Sequence, residues 1–420
     1  MNARPEPRIA AATFVALALF IGSWALLHVG FYKDKQVLDT PVYQRYGNAI
    51  ARGQVPYRDF SVEYPPGALP MFALPGLAEP GHGQDVATGF RHAFETLMWL
   101  CGAACLFSMA LTLRAVHAGR IRVWSALAFA ALAPLAIGSV LLSRFDLWPA
   151  ALAAGALAAL ASGWPRLGSG LLGAAVTAKL YPALFVPLTV AYVWRRQGRR
   201  EAFVCLGILV AVIVVVSAPF VALAPAGVWH SLTGQLTRPL QIESLGAALL
   251  VAAHHLWGHP VTMETSHGSQ NLAGHDARVL ADVLTVLQAL ALLTVWTSFA
   301  RSSASRERLV SASAAVIVAF VALGKVLSPQ FLIWLVPLVP LVRGRRGFES
   351  SILLGVALVL TQIWFPFRYW DYANHFTETT SWLVLARDVV LVALLVLLLV
   401  QQRGHPAPLL KEPEREAARS

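Results

Sequence analysis

Residues Trp164–Arg200 read WPRLGSGLLGAAVTAKLYPALFVPLTVAYVWRRQGRR, and how this stretch enters hydrocarbon decides the topology of the whole chain. A single crossing would put Arg195, Arg196, Arg199 and Arg200 on the opposite side from Arg166. That runs against the tendency of basic loops to stay on one side of a membrane. The other solution is a segment that goes in and comes back, with Lys179-Leu-Tyr-Pro182 at its turn. Each arm then has about 13 residues and rises only ~20 Å at 1.5 Å per residue. Arms that short predict a broken or re-entrant pair lining a cavity, where irregular backbone is tolerated at membrane depth.

The rest of the chain supports a membrane setting. It has 420 residues, 57% of them hydrophobic and only 13% charged, with a mean hydropathy of +0.61. Its apolar runs of about 20 residues each match a hydrocarbon core of ~30 Å. Residues 202–224 are apolar all round, and 381–400 are too apart from Arg387 and Asp388, which excludes a soluble fold with amphipathic surface helices. The formal charge of +11 falls mostly in short loops, so topology accounts for it and no nucleic-acid partner is needed. Cys101, Cys105 and Cys205 lie inside apolar runs and read as packing residues.

Spans are expected near 9–30, 92–113, 123–140, 146–162, 202–222, 277–300, 309–324, 327–342, 350–366 and 382–402. With the broken pair this predicts an all-α polytopic bundle of about 11–12 transmembrane segments, a single domain over 1–402. The first span, preceded by Arg4 and Arg8, reads as an uncleaved signal anchor. Arg114–Arg122, Arg166, Arg195–Arg200, Arg301–Arg308 and Arg343–Arg346 then fall on one face with both termini. That face is expected to be cytoplasmic in a plasma-membrane protein. The loops 31–90, 223–276 and 367–381 are extracytoplasmic, and the tail 403–420 is charged and expected to be disordered. No inverted internal repeat is visible, which weakens a transporter reading.

Unusual chemistry concentrates on the outer face. Asp39–Gly67 packs Asp39, Asp59, Glu63, three arginines and five aromatics into a chain that is mostly hydrocarbon. Residues 40–52 read as a short interfacial helix with Val42, Tyr46, Ala49 and Ile50 on one side. Asp39 is then either an acceptor of a substrate proton or the helix N-cap, followed by Pro41. Asp34, flanked by Lys33 and Lys35, reads as a solvated charge, and Asp59 and Glu63 as residues fixing the turn at Val55-Pro-Tyr57. Tyr64-Pro65-Pro66-Gly67 stiffens the approach to a short apolar patch, 68–78. Arg144, Lys179, Lys325 and Arg368 are four cations at outer ends of different segments. They suit either an anionic phosphate or snorkelling to lipid headgroups, with Asp146 the natural ion-pair partner of Arg144. His254, His255 and His259 lack the His-Glu-x-x-His pattern of a metal site, while His375 sits in an aromatic run able to meet a sugar.

Taken in order, Asp39-x-x-x-Tyr43, Gly53-x-x-Pro56-Tyr57, Tyr64-Pro65-Pro66, Arg144-Phe-Asp146, Ala178-Lys-Leu-Tyr-Pro182 and Lys325-Val-Leu-Ser-Pro-Gln330-Phe resemble glycosyltransferase family 87 of the GT-C superfamily. The resemblance covers about residues 8–402. It implies a polyprenyl-phosphate sugar donor, most often mannose, and an envelope glycolipid or glycan acceptor. It also implies inversion without metal or cofactor, with Asp39 as catalytic base. A base is expected near the cations but not directly paired with them, since an ion pair with Arg144 or Lys179 depresses its basicity. Together with the residues singled out above, the substrate-binding candidates are Tyr43, Tyr64, Arg144, Asp146, Lys179, Tyr181, Lys325, Gln330, Arg368 and His375. Competing readings are a transporter or flippase of lipid-linked sugars, expected to carry charges at mid-depth in its spans, and a non-catalytic envelope assembly protein, expected to scatter its outer charges.

Overall fold

The computed structural model describes residues 6–32, 37–78 and 86–403, so Arg4, Asp34 and the tail beyond 403 lie outside the described residues. Among those described, seven helices are long and apolar enough to cross a bilayer. They are Ile9–Leu26, Thr88–Ala115, Arg120–Ile137, Arg199–Leu223, His275–Arg301, Gly344–Trp364 and Glu378–Gln402. The other expected segments are shorter. Leu147–Ala161 has 15 residues and Arg306–Ala322 has 17, and both are buried along most of their length. The stretch 327–342 is no continuous helix, because Pro329, Pro337 and Pro340 interrupt it. It forms the short turns Pro329–Phe331, Leu332–Leu335 and Val339–Leu341.

The decisive stretch does fold back on itself. Pro165–Ala178 forms one arm of 14 residues and Val186–Gln197 another of 12, joined by the 3-10 turn Tyr181–Phe185. Arg166, in the first turn of the first arm, pairs at 2.7 Å with Glu201, four residues after the second arm ends. Both outer ends of the pair therefore sit at the same level, and Lys179 lies at the other.

The same end gathers the remaining basic loops. Arg195 donates to the Ala300 carbonyl, Arg306 to Ala115, Arg343 to Val116 and Arg346 to Val400. These bonds use carbonyls left open at helix C-termini, a natural place for cations.

At the opposite end the polar segments build a cap. Residues Thr40–Ala51 form the expected helix, crossing Pro70–Ala78 so closely that a Cβ on Gly47 would lie 2.4 Å from the Phe72 carbonyl oxygen. Tyr43 packs between Phe72 at 4.6 Å and Phe145 at 5.7 Å, and Trp148 Nε1 donates to the Gly67 carbonyl at 3.0 Å. The first loop is thus pinned to the segments that carry Arg144 and Lys179.

The long second loop is also structured. It contains helices Pro225–Leu236 and Leu245–Trp257 and an antiparallel hairpin, Thr262–Ser266 with Ser269–Ala273. The hairpin turns on His267 and Gly268, both at positive φ (53° and 67°), the geometry a two-residue loop requires. Residues 240–242 lie against it: Leu272 N donates to Leu240 O at 2.8 Å, and Ile242 N to Gln270 O at 3.1 Å. Gln241 N in turn reaches Lys325 O at 3.0 Å, joining this loop to the segment after Arg306–Ala322.

Candidate active site

Where these segments meet, the cap surrounds a cavity of about 730 Å³. Of the residues singled out from sequence, Asp39, Tyr43, Tyr64, Arg144, Asp146, Lys179, Tyr181, Lys325 and Gln330 all line it. They come from five separate segments, at or near the ends of helices. Arg144, for instance, takes φ −123° and ψ 139° between Val140–Ser143 and Leu147–Ala161, which aims its side chain into the cap.

Arg368 and His375 do not join them. The short helix Tyr369–His375 turns Tyr369 and Tyr372 inward, leaving Arg368 before its first turn and His375 in its last turn exposed. Tyr369 and Trp370 line the cavity from that helix. Two other arginines join the cluster, Arg45 from the first loop and Arg238 from the second.

The ion pairing also differs from the expected one. Arg144 pairs with Asp39, while Asp146 is taken by Lys179 at 2.6 Å and accepts a hydrogen bond from Trp334 Nε1 at 2.7 Å. The reason is shape. Lys179 is held in an aromatic box, 4.9 Å from the Phe145 ring and 5.0 Å from that of Trp334, and Trp334 is stacked at 4.0 Å on Tyr181. The box delivers the ammonium to Asp146, which is only 1% exposed, and Arg144 is left to reach across to the first loop.

Asp39 occupies the N-cap position of Thr40–Ala51, but its carboxylate caps no backbone N–H. It faces Arg144 and accepts a long hydrogen bond from Tyr43 Oη at 3.4 Å. The expectation that the base would stand clear of a direct ion pair is corrected by this contact. Asp59 does fix the Val55 turn, accepting from Val55 N at 2.7 Å, whereas Glu63 lines the cavity.

Electrostatically the cavity has two characters. Arg45, Arg144, Lys179, Arg238 and Lys325 make it cationic, and burial draws the Arg144 guanidinium down to about 10. Glu243, also in the wall, is raised to about 8, chiefly by burial, with Arg387, Arg144 and Arg238 opposing. Gln241, Glu243, Arg238 and the hairpin tip, His267 to Gln270, went unread in the sequence. The one available signal was an acidic residue beside a Ser N-cap at Glu243-Ser244, ahead of an apolar helix.

The three loop histidines are engaged separately. His254 Nδ1 is 2.7 Å from the His259 carbonyl oxygen, His255 Nε2 is 3.0 Å from Ser381 Oγ, and His259 pairs with Asp276 at 3.1 Å. Among the described residues no three His, Cys, Asp or Glu side chains come together as metal ligands.

Comparison with known proteins adds the family. Residues 62–329 match the model of "Glycosyltransferase family 87". No curated protein matches the chain. Among solved structures it is similar to ArnT from Cupriavidus metallidurans, crystallised with undecaprenyl phosphate, at 14% identity and a TM-score of 0.47. That likeness covers 95% of this chain and 78% of ArnT. It is also similar to the Archaeoglobus fulgidus oligosaccharyltransferase, at 12% identity and a TM-score of 0.46, over 96% of this chain and 56% of that one.

Proposed function

The chain belongs to glycosyltransferase family 87, a multi-pass membrane glycosyltransferase, and from that premise we propose that it moves a hexose from a polyprenyl-phosphate donor to an extracytoplasmic acceptor. The observation that carries the proposal is the convergence of Arg144, Lys179, Lys325 and Arg238 with Asp39 in one cavity. A phosphodiester donor leaves as a monoester with an additional negative charge, so cations already fixed at the leaving group stabilise the transition state more than the ground state.

Asp39 is the proposed base. It accepts the acceptor hydroxyl proton as the oxygen attacks the anomeric carbon, and the bond from that carbon to the phosphate oxygen breaks on the opposite face, inverting the centre. Its pairing with Arg144 ties the two roles together. A donor phosphate competes for Arg144, and a carboxylate released from that guanidinium is the better base. Tyr43, Tyr64 and Tyr181 form the walls, with Asp146 anchoring Lys179 and Gln330 facing the sugar.

The prenyl chain is placed along Leu180, Leu184, Phe320, Thr285 and Gln288, the amide of the last committed to the Phe320 carbonyl. Thr285 and Gln288 lie ~15–20 Å into the His275–Arg301 helix, within reach of the bilayer interior. The basic loops at the far end favour an orientation with the cavity outside and both termini in the cytoplasm. The first loop, 31–90, is then the catalytic one. Mannose is the proposed hexose, and an envelope glycolipid or glycan the acceptor.

The test is transfer in proteoliposomes from a panel of polyprenyl-phosphate sugars, scoring which donor is consumed and whether the product is inverted. Failure of every donor to react, with folded protein and a mixed envelope-lipid acceptor pool, would defeat the reading. The transporter alternative predicts flipping of labelled donor without breakage of the glycosyl bond in the same vesicles.

A further inference from the structure

Two buried acceptor atoms in the cavity wall have no hydrogen bond among the described residues, and they lie two residues apart on one rigid segment. Gln241 and Glu243 are 3% and 2% exposed and both line the cavity. Gln241 Nε2 donates to Glu243 Oε2 at 2.6 Å and to Ser328 Oγ at 2.8 Å. Both amide hydrogens are committed in this orientation of the side-chain amide, which leaves its oxygen to find a donor elsewhere. Gln241 Oε1 and Glu243 Oε1 are left without a hydrogen-bond partner among the described residues. A buried acceptor without a donor costs about 1–3 kcal/mol, and more when charged. Two of them side by side in a ligand-sized cavity call for a ligand that brings two donors.

We propose that Gln241 and Glu243 bind hydroxyl groups of the hexose being transferred, and so set which sugar the enzyme accepts. This rests on the donor reading above. Phosphate oxygens of a diester have no hydrogen to give, so the pair serves the sugar and not the leaving group. A hydroxyl both gives and accepts, which satisfies Glu243 whether or not it holds a proton. The location fits as well. Arg144, Arg238 and Glu243 line the same cavity, so a phosphate held by those cations leaves its hexose in the space that Glu243 faces. The backbone of this segment is braced from behind. Tyr372 Oη donates to Ile242 O at 2.7 Å and Arg387 Nη2 to Glu243 O at 2.7 Å. A fixed pair of acceptors reads hydroxyl geometry better than a mobile one.

The experiment titrates the full-length protein in nanodiscs with bare polyprenyl phosphate, with the hexose ester, and with esters lacking one hydroxyl each. In the wild type at least one deoxy ester binds roughly 10- to 100-fold more weakly than its parent. Gln241→Leu and Glu243→Leu lose that hexose-dependent gain, become indifferent to the same deoxy change, and hold bare polyprenyl phosphate within about 3-fold. Glu243→Gln, which still gives and accepts, recovers much of the discrimination. Equal binding of every deoxy ester by the wild type overturns the proposal, and needs no variant to fold. Equal weakening of bare phosphate and hexose ester in both Leu variants also overturns it. If the wild type binds neither bare polyprenyl phosphate nor any hexose ester, the donor reading itself fails, seen before any variant is made, and the hexose assignment falls with it.

Discussion

Replacing Asp39 by Asn separates the two partners of the Asp39–Arg144 pair, and the two effects have opposite signs. Asn keeps the size of the side chain and removes the proton acceptor, so turnover falls by roughly 100-fold or more, equivalent to about 2.7 kcal/mol of lost transition-state stabilisation. Donor binding moves the other way. Arg144 is 8% exposed in its side chain and Asp39 27%, which puts their attraction near the surface value of ~4 kcal/mol at 4 Å and an effective dielectric of 20. A donor phosphate has to overcome part of that attraction, and in the Asn variant it does not. Recovery of even a third of it, about 1.4 kcal/mol, tightens donor binding ~10-fold. The assay is single-turnover transfer in proteoliposomes, paired with titration of bare polyprenyl phosphate. The expected signature is a collapsed rate with a donor Kd that is unchanged or lower. A variant that is normally folded and transfers sugar near the wild-type rate refutes the base assignment and moves it to Glu63, the other first-loop carboxylate in the cavity wall. A variant whose donor affinity falls with its rate refutes the competition between Asp39 and phosphate for Arg144.

Three further outcomes follow from the same geometry. Lys179→Met strands Asp146, 1% exposed, with Trp334 still donating to it, and should cost about 3–5 kcal/mol, whereas Lys179→Met with Asp146→Asn should recover a large part, read as thermal stability in detergent. Glu243, raised from 4.5 to about 8, retains in the folded protein a proton that the unfolded chain releases, so its contribution to stability is full below about pH 4.5 and is lost as pH rises towards 8. Relative to Glu243→Gln, the wild type should therefore lose melting temperature steadily between pH 5 and 8, and parallel curves would contradict the buried, protonated state. For orientation, Arg368→Cys should react with a membrane-impermeant thiol reagent on intact cells and Arg200→Cys should not, against a low background because Cys101, Cys105 and Cys205 are buried; the reverse pattern inverts the proposed topology.

Most parts of the site that were legible in sequence share one property: local chain chemistry places them at the ends of regular structure. Asp39 precedes Thr40-Pro41, Tyr64 precedes Pro65-Pro66, Lys179 and Tyr181 precede Pro182, and Lys325 and Gln330 flank Pro329. A proline beside a polar residue between apolar runs marks a helix end, and helix ends at one face of a bundle converge. The re-entrant arms were legible for a different reason, since only one path keeps Arg166 with Arg195–Arg200. What stayed hidden depends on contacts distant in sequence. The strand Thr262–Ser266 is mostly exposed and shows no alternation that would announce it. Residues 240–242 are placed by hydrogen bonds to Gln270, Leu272 and Lys325, none of which a local pattern encodes. The exchange of ion-pair partners turned on an aromatic box assembled from Phe145, Phe331 and Trp334, and the loss of Arg368 and His375 on the rotational phase of a seven-residue helix.

Arg387 and Asp388 bear on the choice between enzyme and transporter. They are a fully buried ion pair inside the last helix, 2.7 Å apart and 0% exposed, and charges at such depth are the usual mark of a translocation path. Their surroundings give them another role. Arg387 Nη2 donates to the Glu243 carbonyl, and Tyr372, packed in the same region, donates to that of Ile242, so the pair braces the cavity wall from behind. Neither residue lines the cavity. A buried ion pair repays its desolvation poorly as a source of stability, and its best-attested use is to fix register. Here the register it fixes is that of the segment carrying Gln241 and Glu243. A proton or ion relay would need these charges to exchange partners between two faces of the membrane, whereas a strut needs them to stay. Replacing the pair by apolar residues of similar volume should therefore leave the bundle folded while loosening discrimination among sugars, a result that a relay role does not produce.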